Sequence, residues 1–324
     1  MDFWLTRDQQ ALRQGMRAFC DKRVPVETLR TLEKNEALDR ALWSELSEMG
    51  VFGLRLPEKR GGAGLGFAEA VLVFCELGRR AVPGPLVWTH LAAGWVDGAD
   101  SGESIVGGLD RMRKDSAPIL IEHLSSLDAL LVLTHDGVFR LDPKQVKASP
   151  IATPLDPLTP VHHVAQLPAG ERIAGPDEAA RLRLHGAALV AGQLLGVAEA
   201  TLEMAVAYAK ERQQFGRPIG SFQAIKHMLA DMFVRQEVAR ASAYAAAATL
   251  DHPEVGDERR AVSQAKLNSA ECAVQNALHC IQVHGGMGFT WEVPCHYYLK
   301  RTSVLDNVFG SAEEHADTMA DLLG

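Results

Sequence analysis

Residues 211–223 read ERQQFGRPIGSFQ, and residues 282–289 read QVHGGMGF. The first stretch follows a long helical pattern and contains a glycine-proline turn signal, Gly216-Arg217-Pro218. The second places the pair Gly285-Gly286 at the end of another helical pattern, where glycine commonly ends a helix. Each stretch alone has an ordinary explanation, because a glycine pair can be only a helix cap and an arginine at a helix end can be only a solvated charge.

A shared ligand gives the two stretches a second interpretation. Without side chains, Gly285 and Gly286 let a phosphate or a sugar chain approach the backbone N–H groups closely. Arg212 can make a forked contact with a pyrophosphate while the Phe215 ring packs on an adenine, and Gln282 adds an amide donor and acceptor. This pattern favours a dinucleotide ligand.

The composition is that of a globular, mainly helical protein. The chain has 324 residues, of which 47% are hydrophobic and 23% charged, and alanine and leucine dominate. The formal net charge of -8 and the absence of a cluster of lysines and arginines exclude a nucleic-acid partner. Length allows two or three subdomains.

The cysteines and the N-terminus predict a cytoplasmic protein. The cysteines lie among apolar residues without a CxxC pair or a regular metal-ligand spacing, so we expect reduced cysteines in the core and no metal site. They are Cys20, Cys75, Cys272, Cys280 and Cys295. The N-terminus lacks a basic region followed by an apolar stretch, and no window approaches the roughly 20 continuous apolar residues of a membrane span.

The first part of the chain, to about residue 97, has a helical pattern. Thr6 can cap a first helix whose apolar residues recur every three or four positions. Further helices are predicted over 37–49 and 68–80, the last stopped by the Pro-Gly-Pro of residues 83–85.

The middle part, residues 98–177, has short β-branched runs separated by Asp, Gly and Pro, which predict strands. The clearest runs are 117–121, 129–133 and 138–141. Residues 147–168 contain five prolines and therefore suit sheet edges and loops.

The last part, residues 178–324, has the strongest helical signal. Three long amphipathic patterns with short connections predict a bundle, the third ending at Gly285-Gly286. A final helix is predicted from about 311 to 323. The chain is thus expected to be mainly α with a small β region.

The two opening stretches resemble the flavin-contacting segments of the acyl-CoA dehydrogenase family, in family order and with roughly family spacing. Residues 50–64 and 75–80 are also similar to a helix-to-turn segment of that family and the helix that follows it. The resemblance covers about residues 1–95 and 180–324. It implies an N-terminal helical domain (1–97), a reduced middle β domain (98–177) and a C-terminal four-helix bundle (178–324), in tetramers built from dimers.

The resemblance also implies FAD as cofactor, bound across a dimer interface. In that family one subunit surrounds the isoalloxazine ring and supplies a glutamate, and its neighbour contacts the pyrophosphate and adenine. The residues of this chain that match the second, donated half are Arg212, Gln214, Phe215, Gln223, Gln282, Val283, His284, Gly285 and Gly286.

The isoalloxazine half of the site has no counterpart here. The family presents a tryptophan-containing strand to the flavin, yet this chain has no tryptophan between Trp95 and Trp291. Removing an acyl α-proton requires a base, and the position of the family's catalytic glutamate falls on Phe309. An alternative position used by some members falls near 186–187, beside His185, and also lacks a carboxylate.

Several nearby side chains could replace that base, but each has a simpler expected role. Glu313, Glu314 and Asp306 lie close to Phe309 in sequence and more often cap or solvate a terminal helix. His315 and the pair His162-His163 are expected to be surface or packing residues rather than metal ligands.

The sequence therefore predicts a short, non-catalytic β-type subunit of a heteromeric acyl-CoA dehydrogenase, similar to actinobacterial members that act on steroid-derived CoA thioesters. A longer partner would carry the glutamate and most of the acyl-CoA site in an α2β2 assembly. Two alternatives stay open: a self-sufficient homomeric dehydrogenase with a displaced base such as Glu313, and a flavin-free scaffold subunit.

Overall fold

The computed structural model describes residues 4–34, 38–112 and 118–322, and most of these are helical. The α-helices are α1 (Arg7–Arg23), α2 (Val26–Lys34), α3 (Arg40–Glu48), α4 (Phe67–Arg79), α5 (Leu86–Ala92), α6 (Pro176–Glu211), α7 (Gln223–Asp251), α8 (Glu258–His284), α9 (Cys295–Asp306) and α10 (Ala312–Asp321). The strands are β1 (Val106–Asp110), β2 (Ile119–Glu122), β3 (Ala129–Thr134), β4 (Gly137–Leu141), β5 (Ala148–Pro150), β6 (Val161–Val164), β7 (Glu171–Ala174), β8 (Gln213–Gln214) and β9 (Arg217–Pro218).

The chain forms two compact units, neither of which is continuous in sequence. The sheet unit comprises Arg23–Ala70 and Pro83–Ala187. The bundle unit comprises the chain before Arg23, the segment Val71–Val82 and the chain from Ala188 onward.

The N-terminal helices begin at side-chain caps. Thr6 and Gln9 bond reciprocally at the start of α1: the Thr6 N–H donates to Gln9 Oε1 (3.0 Å) and the Gln9 N–H to Thr6 Oγ1 (3.2 Å). At α3, Asp39 Oδ1 accepts the N–H of Ala41 at 2.9 Å. The predicted helix over 37–49 is therefore α3, with its first residue, Ala37, outside the described residues.

Helices α2, α5 and α9 were not predicted. The residues 83–85 were interpreted only as the end of a helix, and they do follow α4. Pro85 is also the N-cap of α5. Proline ends a helix because it lacks an N–H donor, but its fixed φ suits a helix start.

Two small sheets lie in the sheet unit. One has the order β1-β3-β4-β7, in which β1 and β3 are parallel and the other pairs antiparallel. The other has the order β2-β6-β5 and is antiparallel. Strands β3 and β4 match the predicted runs, and the run over 117–121 is β2, with Ala117 outside the described residues. Pro150 lies on the edge strand β5, as the proline-rich stretch predicted.

In the bundle unit, α4 and α6 cross with almost no space between their backbones. A Cβ atom at Gly78 would lie 2.0 Å from the carbonyl oxygen of Gln193, and one at Gly196 would lie 1.9 Å from that of Cys75. Only glycine fits either position. Next to this crossing, the fully buried carboxylate of Glu76 accepts from Arg17 Nε and Arg79 Nε, both at 2.9 Å, so its charge is paired inside the unit.

Helix α6 is long and apolar enough to cross a membrane by length and composition, with a mean hydropathy of 1.4 in its most apolar window. However, 78% of that window is buried inside the protein, which is the pattern of a core helix.

Candidate flavin-binding segments

The first predicted segment is a tight hairpin at the end of α6. Strands β8 and β9 pair Gln213 with Pro218 and Gln214 with Arg217. The two residues between them have positive φ, +53° at Phe215 and +76° at Gly216, as a two-residue hairpin turn requires. Phe215 is 91% exposed as a result. A phenylalanine held in the left-handed region and presented to solvent suits contact with a group outside the chain.

The predicted polar groups of this segment are accessible. Arg212 and Gln214 are exposed, as is Gln223 at the start of α7. The guanidinium of Arg217 instead lies over the Phe222 ring, 4.2 Å from its centre, and so stiffens the base of the hairpin.

The second predicted segment begins where α8 ends. Gly285 has φ +61°, and a short 3₁₀ turn runs from Gly285 to Phe289. A Cβ atom added at Gly285 or Gly286 would meet no heavy atom within 4 Å, so open space lies beside both backbones. Gln282 is exposed, and Phe289 is 83% exposed.

Val283 and His284 differ from the other predicted contacts because their side chains are buried. His284 Nδ1 donates to the carbonyl oxygen of Cys280 at 2.7 Å. Its ring stacks on Tyr208, with 4.2 Å between the ring centres. Either residue could therefore reach an external ligand only through its backbone.

Tyr208 connects the two segments. Besides stacking on His284, its carbonyl oxygen accepts the N–H of Arg212 at 2.8 Å. Tyr208 also packs against the buried cluster that contains Cys280, Val283 and Met232. The structure thus brings the Arg212 hairpin and the Gln282 turn to the same end of the bundle unit, although the sequence analysis did not identify Tyr208. Its only sequence signal was its spacing, one helical turn before Arg212.

The segment around Phe309, between α9 and α10, is closed to solvent at Phe309. Phe309 is fully buried, with φ +57°. His315 Nε2 donates to the Phe309 carbonyl oxygen at 3.1 Å, which leaves Nδ1 to accept from the Ser263 hydroxyl at 3.1 Å. His315 is therefore a buried packing residue, in agreement with one of its two expected roles.

A buried lysine holds the same segment from α8. Lys266 Nζ donates to the carbonyl oxygens of Asp306 (2.8 Å) and Gly310 (2.7 Å), on either side of Phe309. Lys266 is fully buried and lies on the core-facing side of α8, together with Val262. Its signal in the sequence is a lysine inside an apolar stripe of α8.

The acidic residues near Phe309 lie at helix ends. Glu314 and Ser311 form a capping box at the start of α10, and Asp306 Oδ1 accepts the N–H of Ala312 at 3.0 Å. Glu313 is exposed. Their expected capping and solvated roles fit this arrangement.

His185, next to the alternative base position, lines a cavity of about 220 Å³ in the sheet unit. Burial lowers the pKa of His185 to about 3, and the positive charges of Arg55 and Arg181 add to the shift, so the ring is neutral near pH 7. The one carboxylate among the lining residues, Glu178, accepts the N–H of Gly175 at 3.1 Å and so caps α6. The residues that line the cavity are Phe52, Arg55, Leu56, Pro57, His90, Leu91, Ala93, Trp95, Glu178, Arg181, Leu182 and His185.

Comparison with known proteins gives consistent matches. The chain is 33% identical over 304 residues to the acyl-CoA dehydrogenase IpdE2 of Mycobacterium tuberculosis, which covers 91% of this chain and 90% of that protein. It is 30% identical over 325 residues to IpdE2 of Mycolicibacterium smegmatis, covering 96% and 97%. Among solved structures, it superposes on a chain of the ChsE4-ChsE5 complex from Mycobacterium tuberculosis with a TM-score of 0.87 and 27% identity, covering 100% of this chain and 99% of that one.

A chain of the Tcur3481-Tcur3483 steroid acyl-CoA dehydrogenase gives a TM-score of 0.86 at 25% identity, covering 98% and 97%. The family models for the N-terminal and C-terminal domains of acyl-CoA dehydrogenase match residues 6–97 and 179–324. These findings confirm the predicted fold class and family resemblance. The chain belongs to the acyl-CoA dehydrogenase family.

Proposed function

We propose that this chain is a non-catalytic subunit of a heteromeric, FAD-dependent acyl-CoA dehydrogenase. It completes the FAD site of a longer partner subunit, which supplies the catalytic glutamate and holds most of the acyl-CoA. The assembly desaturates the α,β bond of an acyl-CoA thioester and works in the cytoplasm.

The donated half of the site carries this proposal. The Arg212 hairpin and the Gln282 turn lie at one end of the bundle unit, with exposed polar groups and open space beside Gly285 and Gly286. These residues fit a dinucleotide: Arg212 can pair with the pyrophosphate, Phe215 can pack on the adenine, and the two glycine backbones leave room for the phosphates. When bound, FAD accepts the hydride that leaves the β-carbon of the substrate.

The Phe309 segment supports the non-catalytic role. A phenyl ring cannot accept the α-proton, and this one is fully buried, with the backbone around it bonded to Lys266 and His315. Of the three carboxylates nearest in sequence, those of Asp306 and Glu314 accept backbone N–H groups at helix ends, and that of Glu313 is exposed. In the proposed assembly, the partner subunit supplies the base that this chain lacks.

The relatives support a heteromer and a bulky substrate. ChsE4-ChsE5 is a complex, and Tcur3481-Tcur3483 is a steroid acyl-CoA dehydrogenase. We therefore assign this chain to an α2β2 assembly that acts on a steroid-derived acyl-CoA.

The test is co-expression of the chain with a longer acyl-CoA dehydrogenase that carries the glutamate, followed by measurement of flavin content and dye reduction. We expect Arg212→Ala combined with Gln282→Ala to remove FAD from the purified complex without separating the two subunits. The matched control is Arg259→Ala with Gln264→Ala, which makes the same chemical change at exposed positions of α8 and should leave flavin content unchanged.

Two outcomes would contradict the proposal in different ways. Unchanged flavin content in the Arg212/Gln282 variant would point to a scaffold that donates nothing to the cofactor. A chain that binds FAD by itself and reduces a dye with an acyl-CoA would point to a homomeric dehydrogenase.

A further inference from the structure

Two cysteines and a histidine meet beneath the Gln282 turn. Cys280 and His284 lie one turn apart on α8, and Cys295 is the first residue of α9. The two Sγ atoms are 3.2 Å apart, and His284 Nδ1 lies 3.8 Å from Cys280 Sγ and 3.6 Å from Cys295 Sγ. Both cysteines are fully buried, and His284 is 8% exposed.

The cluster forms because the chain reverses direction between α8 and α9. An i, i+4 spacing brings Cys280 and His284 to one face of α8. The left-handed Gly285 ends that helix, and the turn that follows lets the start of α9 pack against the same face. Sequence spacing alone did not indicate a metal site, because Cys295, the third residue of the cluster, belongs to the next helix.

The separations are close to those of ligands that share one metal ion. With metal–sulfur bonds of about 2.3 Å and metal–nitrogen bonds of about 2.0–2.1 Å, tetrahedral angles give sulfur–sulfur edges of about 3.8 Å and sulfur–nitrogen edges of about 3.6 Å. Both sulfur–nitrogen distances already have this length. The two sulfurs would have to separate by about half an ångström.

The donor set and its surroundings select the kind of ion. Two thiolates and an imidazole favour thiophilic ions over Mg²⁺ and Ca²⁺, which take oxygen ligands. The apolar side chains of Ala205, Ala209 and Met232 belong to the same buried cluster, and such surroundings disfavour a strongly hydrated ion.

We propose that Cys280, His284 and Cys295 bind one thiophilic d¹⁰ ion, Zn²⁺ or Cu⁺, that joins the end of α8 to the start of α9. Both thiols release their protons on binding. The Nδ1 proton of His284, which now bonds to the Cys280 carbonyl oxygen, moves to Nε2, so that the Nδ1 lone pair can face the ion. The bound ion fixes both ends of the segment that contains Gly285 and Gly286.

The test uses the full-length chain, freed of metal and fully reduced under nitrogen. One arm titrates Zn²⁺ against a chromophoric zinc chelator, and the other titrates Cu⁺ against bicinchoninate. We expect one equivalent of one of these ions to bind, with two protons released, and the melting temperature to rise. Cys280→Ser and Cys295→Ser should each abolish stoichiometric binding.

Cys272→Ser is the matched control, because Cys272 is also a buried cysteine of α8 but lies outside the cluster. This variant should bind the ion as the wild-type chain does. Circular dichroism on every variant checks that the fold is kept, and Cys295→Ala serves if Cys295→Ser does not fold. The absence of binding by both ions, or binding that persists in the folded cluster variants, would overturn the proposal. A Cys280–Cys295 disulfide in the oxidised chain, found without any metal binding by the reduced chain, would also overturn it.

Discussion

Replacing Phe309 by glutamate would put a carboxylate where the family resemblance places the catalytic base, and we expect the change to destabilise the chain rather than activate it. Phe309 is fully buried. Truncation of a buried phenylalanine to alanine costs about 3–5 kcal/mol, and the one methylene that glutamate has beyond the Cβ of alanine recovers about 0.8 kcal/mol. The lost packing alone therefore costs about 2–4 kcal/mol.

The buried charge adds to this loss in a pH-dependent way. An unpaired carboxylate in a protein interior costs several kcal/mol, and Lys266 already donates to the carbonyl oxygens of Asp306 and Gly310. Because burial raises the pKa of such a carboxyl group in the folded state, the charge penalty is absent at low pH and grows as the pH rises above the ordinary pKa of glutamate. Near pH 8, the total loss would be about 5 kcal/mol or more, which is comparable with the stability of many whole domains.

Urea denaturation of Phe309→Glu between pH 5 and pH 8 measures this loss, and Phe309→Gln is the matched control. The neutral amide should share the packing loss but lack the pH dependence. We also expect no acyl-CoA-dependent dye reduction by the glutamate variant alone. The reasoning would be refuted by a Phe309→Glu chain that is as stable as the wild type at pH 8, since this segment would then be open to water.

Three further predictions concern other parts of the chain. Lys266→Met should lower the free energy of unfolding by about 3 kcal/mol, because two charge-assisted hydrogen bonds are lost and two carbonyl groups are left unpaired; Lys226→Met, at an exposed position of α7, should change it little in the same urea titration. Gly286→Val should leave the melting temperature of the isolated chain nearly unchanged, because its side chain enters open space, but should lower the flavin content of the complex, and normal flavin content would contradict the proposed contact. Burial lowers the pKa of His185 to about 3 and of His90 to about 4. At acid pH the unfolded chain therefore binds protons that the folded chain does not, and stability should fall as the pH drops below about 6.5. His185→Gln should make that fall shallower in thermal melts across pH 4 to 7, and an unchanged slope would argue against the buried neutral ring.

Local patterns predicted most of the helices but missed α2, α5 and α9. The long helices α6, α7 and α8 carry continuous amphipathic patterns, and glycine marks the end of α8. Helix α5 has only seven residues and starts at Pro85, so the proline signal was ambiguous. Helix α2 has nine residues, of which only Leu29 is buried, so its apolar pattern extends over little more than two turns.

The two segments could be singled out as motifs, whereas their surroundings could not. Both contain glycine and glutamine, and the first also contains Arg212, so they could be recognised without the fold, and their contact with flavin stays a prediction. Three residues outside these motifs instead make contacts between parts of the chain that are distant in sequence, and a single sequence does not reveal which helix faces meet. These residues are Tyr208, Lys266 and Cys295. The same limit explains why the resemblance could place the missing base at Phe309, whereas the sequence did not show that this residue is buried.

The outward-facing rings have a consequence for how a cell makes this chain. Phe215, Phe289 and Trp291 are each at least 60% exposed, beside the proposed cofactor contacts. Large aromatic surfaces in water favour non-specific association, so an unassembled copy of this chain would tend to aggregate or to be bound by chaperones. In the proposed assembly, synthesis of the two subunits in equal amounts, for instance from one operon, would protect each newly made copy until its partner subunit covers these rings.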